Sequence, residues 1–381
     1  MSLRARASAA ILLPIIACGA IWLSFRAKSP SRPENSPSSA LESAVYVGSV
    51  ACARCHPGEA FRHARSGHAR TLMKAADSPA ARALDGSRFD DEERGVSFQY
   101  RLTGDELAVS VPEKLGDERF PLEWAFGSGE HATTFLTLIP NQAGETVGIE
   151  HRVSLFGSEH RGALTPSHAG LAAGQPVEWF GRVMRGEKLS ACIGCHTTTS
   201  EIEREGRARL TANIGCERCH GPGANHVREA DAQKPIAQLP LSAGATSAEE
   251  QIRVCGECHR HPDRLHETKV SVDNPRLARF QPVGLMQSAC FRKSSGRMKC
   301  TTCHDPHEHA PREREQFDGR CLVCHGAGQN RSPNCPVSSS ENCISCHMPE
   351  VEVRPGIRFH DHWIRTGDSG LPPPDDGPED H

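Results

Sequence analysis

Seven times the chain sets two cysteines three residues apart with a histidine directly behind the second, starting at Cys52, Cys192, Cys216, Cys255, Cys300, Cys321 and Cys343. On one turn of helix, positions i, i+3 and i+4 share a face, so each motif aims two thiols and one imidazole at the same flat object. This is the attachment signature of c-type haem, in which the thiols become thioethers to the porphyrin and the imidazole binds iron. The pattern predicts seven covalent haems c. The thioether positions are Cys52 and Cys55, Cys192 and Cys195, Cys216 and Cys219, Cys255 and Cys258, Cys300 and Cys303, Cys321 and Cys324, and Cys343 and Cys346. The proximal iron ligands are His56, His196, His220, His259, His304, His325 and His347. Zinc fits less well, because four-cysteine sites consume motifs in pairs, seven is odd, and zinc asks for no histidine behind every second cysteine. A thioredoxin-like dithiol would occur once, beside a βαβ pattern.

Of the 21 histidines, 14 lie outside the motifs, enough to close the second axial side of every iron. Reach selects among them. His226 stands six residues past His220 in "CERCHGPGANH", and so short a segment extends at most about 20 Å, nearly all of it consumed in rounding a porphyrin edge. His226 is therefore expected to serve a neighbouring haem, with Gly221 and Gly223 permitting the turn and Pro222 stiffening it. His68, His131, His307 and His362 complete the candidate distal set. His261 and His266 rank below them, then His151, His160, His168, His309 and His360, with His381 last; Met286, Met298 and Met348 are alternative ligands whose commoner fate is to fill core gaps. Cys290 and Cys335 lie outside the motifs, and a disulfide and two thiols are equally compatible with the sequence.

The elements that position these groups read as mainly α with long loops, plus a small β-containing insert. Six motifs crowd between Cys192 and His347, leaving each little more than a haem-binding turn and one helix. No cysteine falls between Cys55 and Cys192, and there "GVSFQYRL" and "ELAVSVP" alternate apolar with polar around Thr103-Gly104-Asp105, as a hairpin does. The predicted organisation is a signal or membrane anchor over 1–27, a Ser/Pro-rich linker over 28–44, a first haem segment over 45–89, the β-containing insert over 90–180, a six-haem array over 181–365 and an acidic, Pro-rich tail over 366–381. With 13 Phe, 4 Trp and 2 Tyr against 34 Gly and 27 Pro, and 37% hydrophobic residues, side chains alone make a thin core. Porphyrins are expected to supply the rest, so the haem-free chain is expected not to fold.

Arg4 and Arg6 precede an apolar run from Ala7 to Phe25, long enough to span a bilayer. It is compatible with an uncleaved anchor, with a lipoprotein box ending at Cys18, and with a cleaved signal peptide. All three export the chain, which places the haem motifs on the periplasmic side of the cytoplasmic membrane. A net charge of −3 without a basic face excludes a nucleic-acid partner; the partners expected are redox proteins, and the membrane through the N-terminal segment.

From residue 45 to about 365 the chain resembles the multihaem cytochromes of the c-552/c-554 type, in "YVGSVACARCHPGEAF" followed by "SGHA", in "CIGCHTT" with "CERCHGPGANH", and in "CTTCHDPH" and "HDHWIR". That resemblance implies that His226 and His68 act as distal ligands to other haems and that the chain transfers electrons. Seven motifs against four in the best-known carrier leave the pairing of the extra haems unassigned. The alternative is a reductase or oxidase of a small nitrogen or sulfur compound, with one open iron. Against it, no motif replaces His by Lys, as the catalytic haem of cytochrome c nitrite reductases does. Both tyrosines, Tyr46 and Tyr100, also precede the dense array, so a C-terminal tyrosine cross-link to haem cannot be built.

Overall fold

The computed structural model describes residues 45–236, 238–242, 246–265, 270–311, 313, 315–326, 335, 338, 340–354 and 357–365. The apolar N-terminal run, the Ser/Pro linker, His266, His381 and the acidic tail lie outside the described residues. Among the described residues no helix is long and apolar enough to cross a membrane.

Alternation of apolar and polar residues, the period of a half-buried strand, governs the first half of the chain. A four-stranded antiparallel meander runs through Arg88–Asp91, Val96–Thr103, Glu106–Ser110 and Arg119–Leu122. Its central hairpin turns at Gly104-Asp105, pairing Thr103 with Glu106. A seven-stranded sheet orders Leu72–Lys74, Trp124–Phe126, Ala132–Pro140, Thr146–His151 and Gly181–Met184 along one path. The strands Val153–Phe156 and Arg161–Leu164 branch from the long third member of that path. Between the sheets lies a core of protein side chains alone, in which Phe98, Phe135, Phe180, Leu107 and Ile149 are at most 2% exposed.

Two polar devices are sealed into this core. Arg152, fully buried, bonds Asp91 and the His168 carbonyl and reaches Glu93 at 3.2 Å. His151 sits between the Tyr100 hydroxyl and the Phe180 carbonyl, each 2.8 Å away. Burial pushes the imidazole down to about 3, so it stays neutral, donating from Nδ1 and accepting at Nε2.

The expectation of a mainly α molecule is thus overturned: the described residues hold fifteen strands in four sheets. The sheets begin at Leu72 and end at Met184, and two further hairpins lie among the motifs, Thr197–Ile202 with Ala208–Ala212 and Glu350–Arg354 with Ile357–His360. The reason is that few aromatics suffice when they are concentrated. Nine of the core's seventeen buried members are Phe, Tyr, Leu or Ile, most of them drawn from strands, and composition averaged over the whole chain hides such clustering.

The second half is short helices. Motif-bearing helices run Ser49–Ala53, Gly186–Gly194, Cys216–His220, Ala248–His259, Cys300–Cys303, Glu315–His325 and Cys343–His347. The second of them packs on the sheet through Leu189 and Ile193, in a cluster with Leu72, Phe126, Leu136 and Leu138. Gly148 makes that approach possible, since a Cβ there would lie 2.6 Å from a Leu189 methyl.

Candidate haem array

A bis-histidine iron holds two imidazoles by bonds of about 2 Å, which with half a ring on each side puts the ring centres about 6 Å apart. Four pairs meet that spacing. His56 and His226 lie 6.4 Å apart, His68 and His259 6.2 Å, His220 and His307 6.1 Å, and His304 and His362 6.2 Å. Each joins a proximal histidine to one carried on a different part of the chain. The geometry fits haem c, because the thiols of the same motif flank one of the two rings on a single helical turn.

The tautomers suit iron. His68, His220 and His362 direct Nδ1 at the carbonyls of Pro306, Pro240 and His360, at 3.3, 3.0 and 2.9 Å, so Nδ1–H donates and Nε2 keeps its lone pair. Burial, aided by neighbouring imidazoles, pushes His259 and His362 down to about 4, and both are neutral at pH 7.

In the opening of "GPGANH", Gly221 takes a φ of 75°, the left-handed conformation that ends the helix Cys216–His220. The chain then enters the helix Ala224–Asp231, which carries His226 away from His220 and over to His56. Gly223 donates its amide to Glu217 Oε1 at 2.7 Å.

The remaining candidates go elsewhere. His131 lies against Phe359 with ring centres 5.2 Å apart, and its carbonyl accepts from Gly157; it stands opposite none of the described motif imidazoles. His168 bonds Glu150 at 2.9 Å, His309 pairs with Glu130 at 3.5 Å, and His261 pairs with Asp263 at 3.1 Å. His360 bonds the Met348 carbonyl. The sulfurs of Cys290 and Cys335 are not joined.

Among the described residues no imidazole stands opposite His196, His325 or His347 at this spacing. Beside His196, held by Thr71 O at 2.9 Å, lies the Phe126 ring at 5.0 Å. Cys192 is enclosed near Glu150 and Arg182, which are joined at 2.7 Å.

The family model for cytochrome c554 and c-prime matches residues 178–221, which span the second and third motifs. The multihaem cytochrome MtrA of Shewanella baltica is 26% identical over 176 residues, covering 41% of this chain and 52% of that protein. The C-type polyhaem cytochrome OmcB of Geobacter sulfurreducens is 23% identical over 190 residues, covering 42% and 25%. These likenesses support a multihaem c-type cytochrome. A dissimilatory sulfite reductase, MccA of Wolinella succinogenes, is 18% identical to the cytochrome over 378 residues, 80% of this chain and 50% of that protein. The cytochrome thus spans about half the length of two of these relatives. A crystal structure of the outer cell wall cytochrome OcwA aligns with a TM-score of 0.48 at 16% identity, covering 84% of this chain and 79% of that one.

Three positioning residues of the cytochrome escaped sequence reasoning. Glu217, buried inside the third motif, accepts the amides of Val47 and Gly48 at 2.9 and 2.8 Å, so it caps the first motif helix from outside. Asp318 does the same for the seventh, accepting from Asn342 and Cys343 at 2.8 and 3.0 Å. Gln251 accepts the Thr301 amide at 3.2 Å at the start of the fifth. Orphan amides of one motif helix are thereby satisfied by its neighbour. Glu217 occupies a free position within its motif and Asp318 and Gln251 lie a few residues ahead of theirs, so no spacing rule marks them.

Proposed function

We propose that the cytochrome carries seven covalent haems c and passes electrons between redox partner proteins on the periplasmic side of the cytoplasmic membrane, tethered through residues 1–44. The observation that carries this reading is the set of four imidazole pairs at a spacing that would suit an iron between them, where His56 with His226, His68 with His259, His220 with His307 and His304 with His362 would hold haem iron for electron exchange. Haem c would supply reversible one-electron exchange; the chain supplies paired imidazoles, of which those of His68, His220 and His362 are held by backbone carbonyls. Seven intact motifs support the count of seven.

A haemochrome assay on matured protein tests the count, and four or fewer haems would sink it. His226→Ala tests the ligation: it should turn the site of His56 high-spin while all haems stay attached, whereas loss of haem from Cys216 and Cys219 would refute the assignment.

One observation favours a second reading, reduction or oxidation of a small nitrogen or sulfur compound. Phe126, rather than an imidazole, neighbours His196, and Arg182, paired with Glu150, lies near Cys192 of the same motif. The relative named as a sulfite reductase makes sulfite the first compound to offer, with nitrite, hydroxylamine and tetrathionate beside it. Rapid anaerobic reoxidation of the reduced protein by any of them, blocked by cyanide, would move the assignment to this reading.

A further inference from the structure

A second site lies in the β region, outside the attachment motifs. Between the helix Pro79–Leu84, the strands Arg88–Asp91 and Val96–Thr103, and the hairpin of Val153–Phe156 with Arg161–Leu164 is a cavity of about 240 Å³. Its lining comes entirely from residues 83–100 and 153–162, so no motif residue and no paired imidazole contributes to it. The volume is far too small for a porphyrin and suits a single substituted ring, given that an apolar cavity of about 150 Å³ admits benzene.

The lining has an apolar side and a polar side. Leu84, Tyr100, Val153 and Leu155, each at most 5% exposed, make an apolar floor beside Phe89. The Tyr100 hydroxyl is engaged with His151 Nε2 at 2.8 Å, so this residue offers the cavity its ring rather than a free hydroxyl. Gly162 keeps the space open: a Cβ there would stand 3.4 Å from the Phe89 ring, 3.7 Å from a Val153 methyl and 3.8 Å from a Leu155 methyl. The polar side is Arg88, whose side chain is 58% exposed, and His160. Arg88 bonds Asp90 through Nε at 2.6 Å, and its terminal nitrogens carry no further bond among the described residues. His160 closes the tip of the hairpin with a φ of 52°, its amide bonded to the Gly157 carbonyl at 3.2 Å. Its Nδ1 is shut away from solvent without a partner among the described residues. A buried polar nitrogen left unpaired is costly, and this one belongs to a residue that borders a space able to hold its partner.

We infer that this cavity binds a small monocyclic aromatic carboxylate, with its ring on the apolar floor and its carboxylate between Arg88 and His160. The groups still open on the polar side are donors: the terminal nitrogens of a guanidinium, which has no acceptor, and an imidazole N–H in the tautomer that presents it at Nδ1. A charged acceptor satisfies both, and the planar edge of a guanidinium fits a carboxylate with two parallel bonds. Asp90 engages Nε alone, so the edge formed by the two terminal nitrogens remains for a ligand. The apolar floor supplies the larger part of the contact and asks for a ring rather than a chain of polar atoms. The site is separate from electron transfer and stands whether or not the count of seven haems does.

The test is calorimetric titration of the full-length holoprotein with sodium benzoate, phenol and sodium acetate. Benzoate should bind saturably, one per chain. Phenol should bind about tenfold more weakly for want of the charge-assisted bonds, and acetate, which lacks the ring, should give no saturable heat. Gly162→Leu fills the cavity and should abolish benzoate binding. His160→Phe keeps a ring but removes the nitrogen, and should weaken benzoate binding about tenfold. The haem count and low-spin signals should be unchanged in both variants, which separates a local effect from a failed array. No saturable heat with millimolar benzoate, or benzoate binding that survives Gly162→Leu intact, would overturn the site. Phenol binding as tightly as benzoate would assign a neutral occupant and overturn the carboxylate. Should either variant fail to mature, nuclear Overhauser contacts in the reduced wild type decide. Contacts from the benzoate ring protons to methyls of Leu84, Val153 and Leu155 support the site, and their absence from a benzoate-saturated sample overturns it.

Discussion

Residues 72–184 and the motif helices after Gly186 solve the problem of a core in opposite ways. The sheets bury Phe98, Phe135, Phe180 and their neighbours against one another. Beyond the second motif the clustered core shrinks to Ala278, Val351 and Val353, with Ile357 and Phe359 partly covered. In the β region buried polar groups pair within the sheets, as with Arg152 between Asp91 and the His168 carbonyl, while Trp124 Nε1 and His160 Nδ1 are buried without a partner among the described residues. Among the motifs, polar side chains instead reach from one short helix to the next. Helices of four or five residues such as Cys300–Cys303 and Cys216–His220 are too short to persist without outside contacts. Their order has to come from outside, from caps and from imidazoles that meet between distant segments.

The largest effect expected from this contrast is on removing haem. In a chain expressed without haem attachment, hydrogen exchange should find amides of Val96–Thr103 and Ala132–Pro140 protected and those of the motif helices exchanging at once. The expectation that the haem-free chain does not fold is then confined to the array. Uniform exchange, sheets included, would show that the β region also depends on the cofactor and would break the comparison.

Next in size is the buried ion pair. Arg152→Leu leaves Asp91 charged and unpaired in a site from which water is excluded, and should cost the β region about 3–5 kcal/mol. Chemical denaturation followed by tryptophan fluorescence should show an early transition, while the haem count and the low-spin signals hold. A coincident loss of both would mean that the two regions unfold as one.

A smaller loss is expected at Glu217→Ala, which orphans the amides of Val47, Gly48 and Gly223; bonds to a charged group contribute about 1.5–3 kcal/mol. It should loosen the first motif against the third and raise the high-spin fraction at the site of His56 and His226. Glu217→Gln should restore part of the low-spin signal. An unchanged spectrum for the Ala variant would deny the cap its positioning role.

The smallest effect is that of pH on the sheets. His151 is lowered from 6.5 to about 3 by burial, so the unfolded chain binds the extra proton between those values and the folded one does not. Stability of the β region should be level above pH 6.5 and decline below it, by roughly 1 kcal/mol between pH 7 and pH 5.5. His151→Gln should flatten that slope; a slope unchanged in the variant would assign it to other groups.

Much of the candidate site could be read from the chain because covalent attachment imposes a local rule. Two thiols and an imidazole must share a helical face, and that rule leaves its mark in five consecutive residues. His226 could be assigned away from its own motif for a similar reason, since six residues cannot round a porphyrin. His131 shows the limit of local reading: "GSGEH" offers an imidazole close behind glycine, as the segments of His68 and His226 do, yet its ring lies beside Phe359. The extent of the sheets was hidden for a different reason. Alternation at Val96–Thr103 is plain, but Leu72–Lys74 and Gly181–Met184 are strands because Trp124–Phe126 and Thr146–His151 offer them partners.

By itself, then, the sequence marked which residues can address a cofactor from one side, because that pattern is local and is dictated by helix geometry. Which imidazole faces which, and that the second motif is seated on the sheet, were decided only by tertiary structure. Each depends on two segments separated by scores of residues meeting at a distance of a few ångströms, and local spacing carries no record of such a meeting.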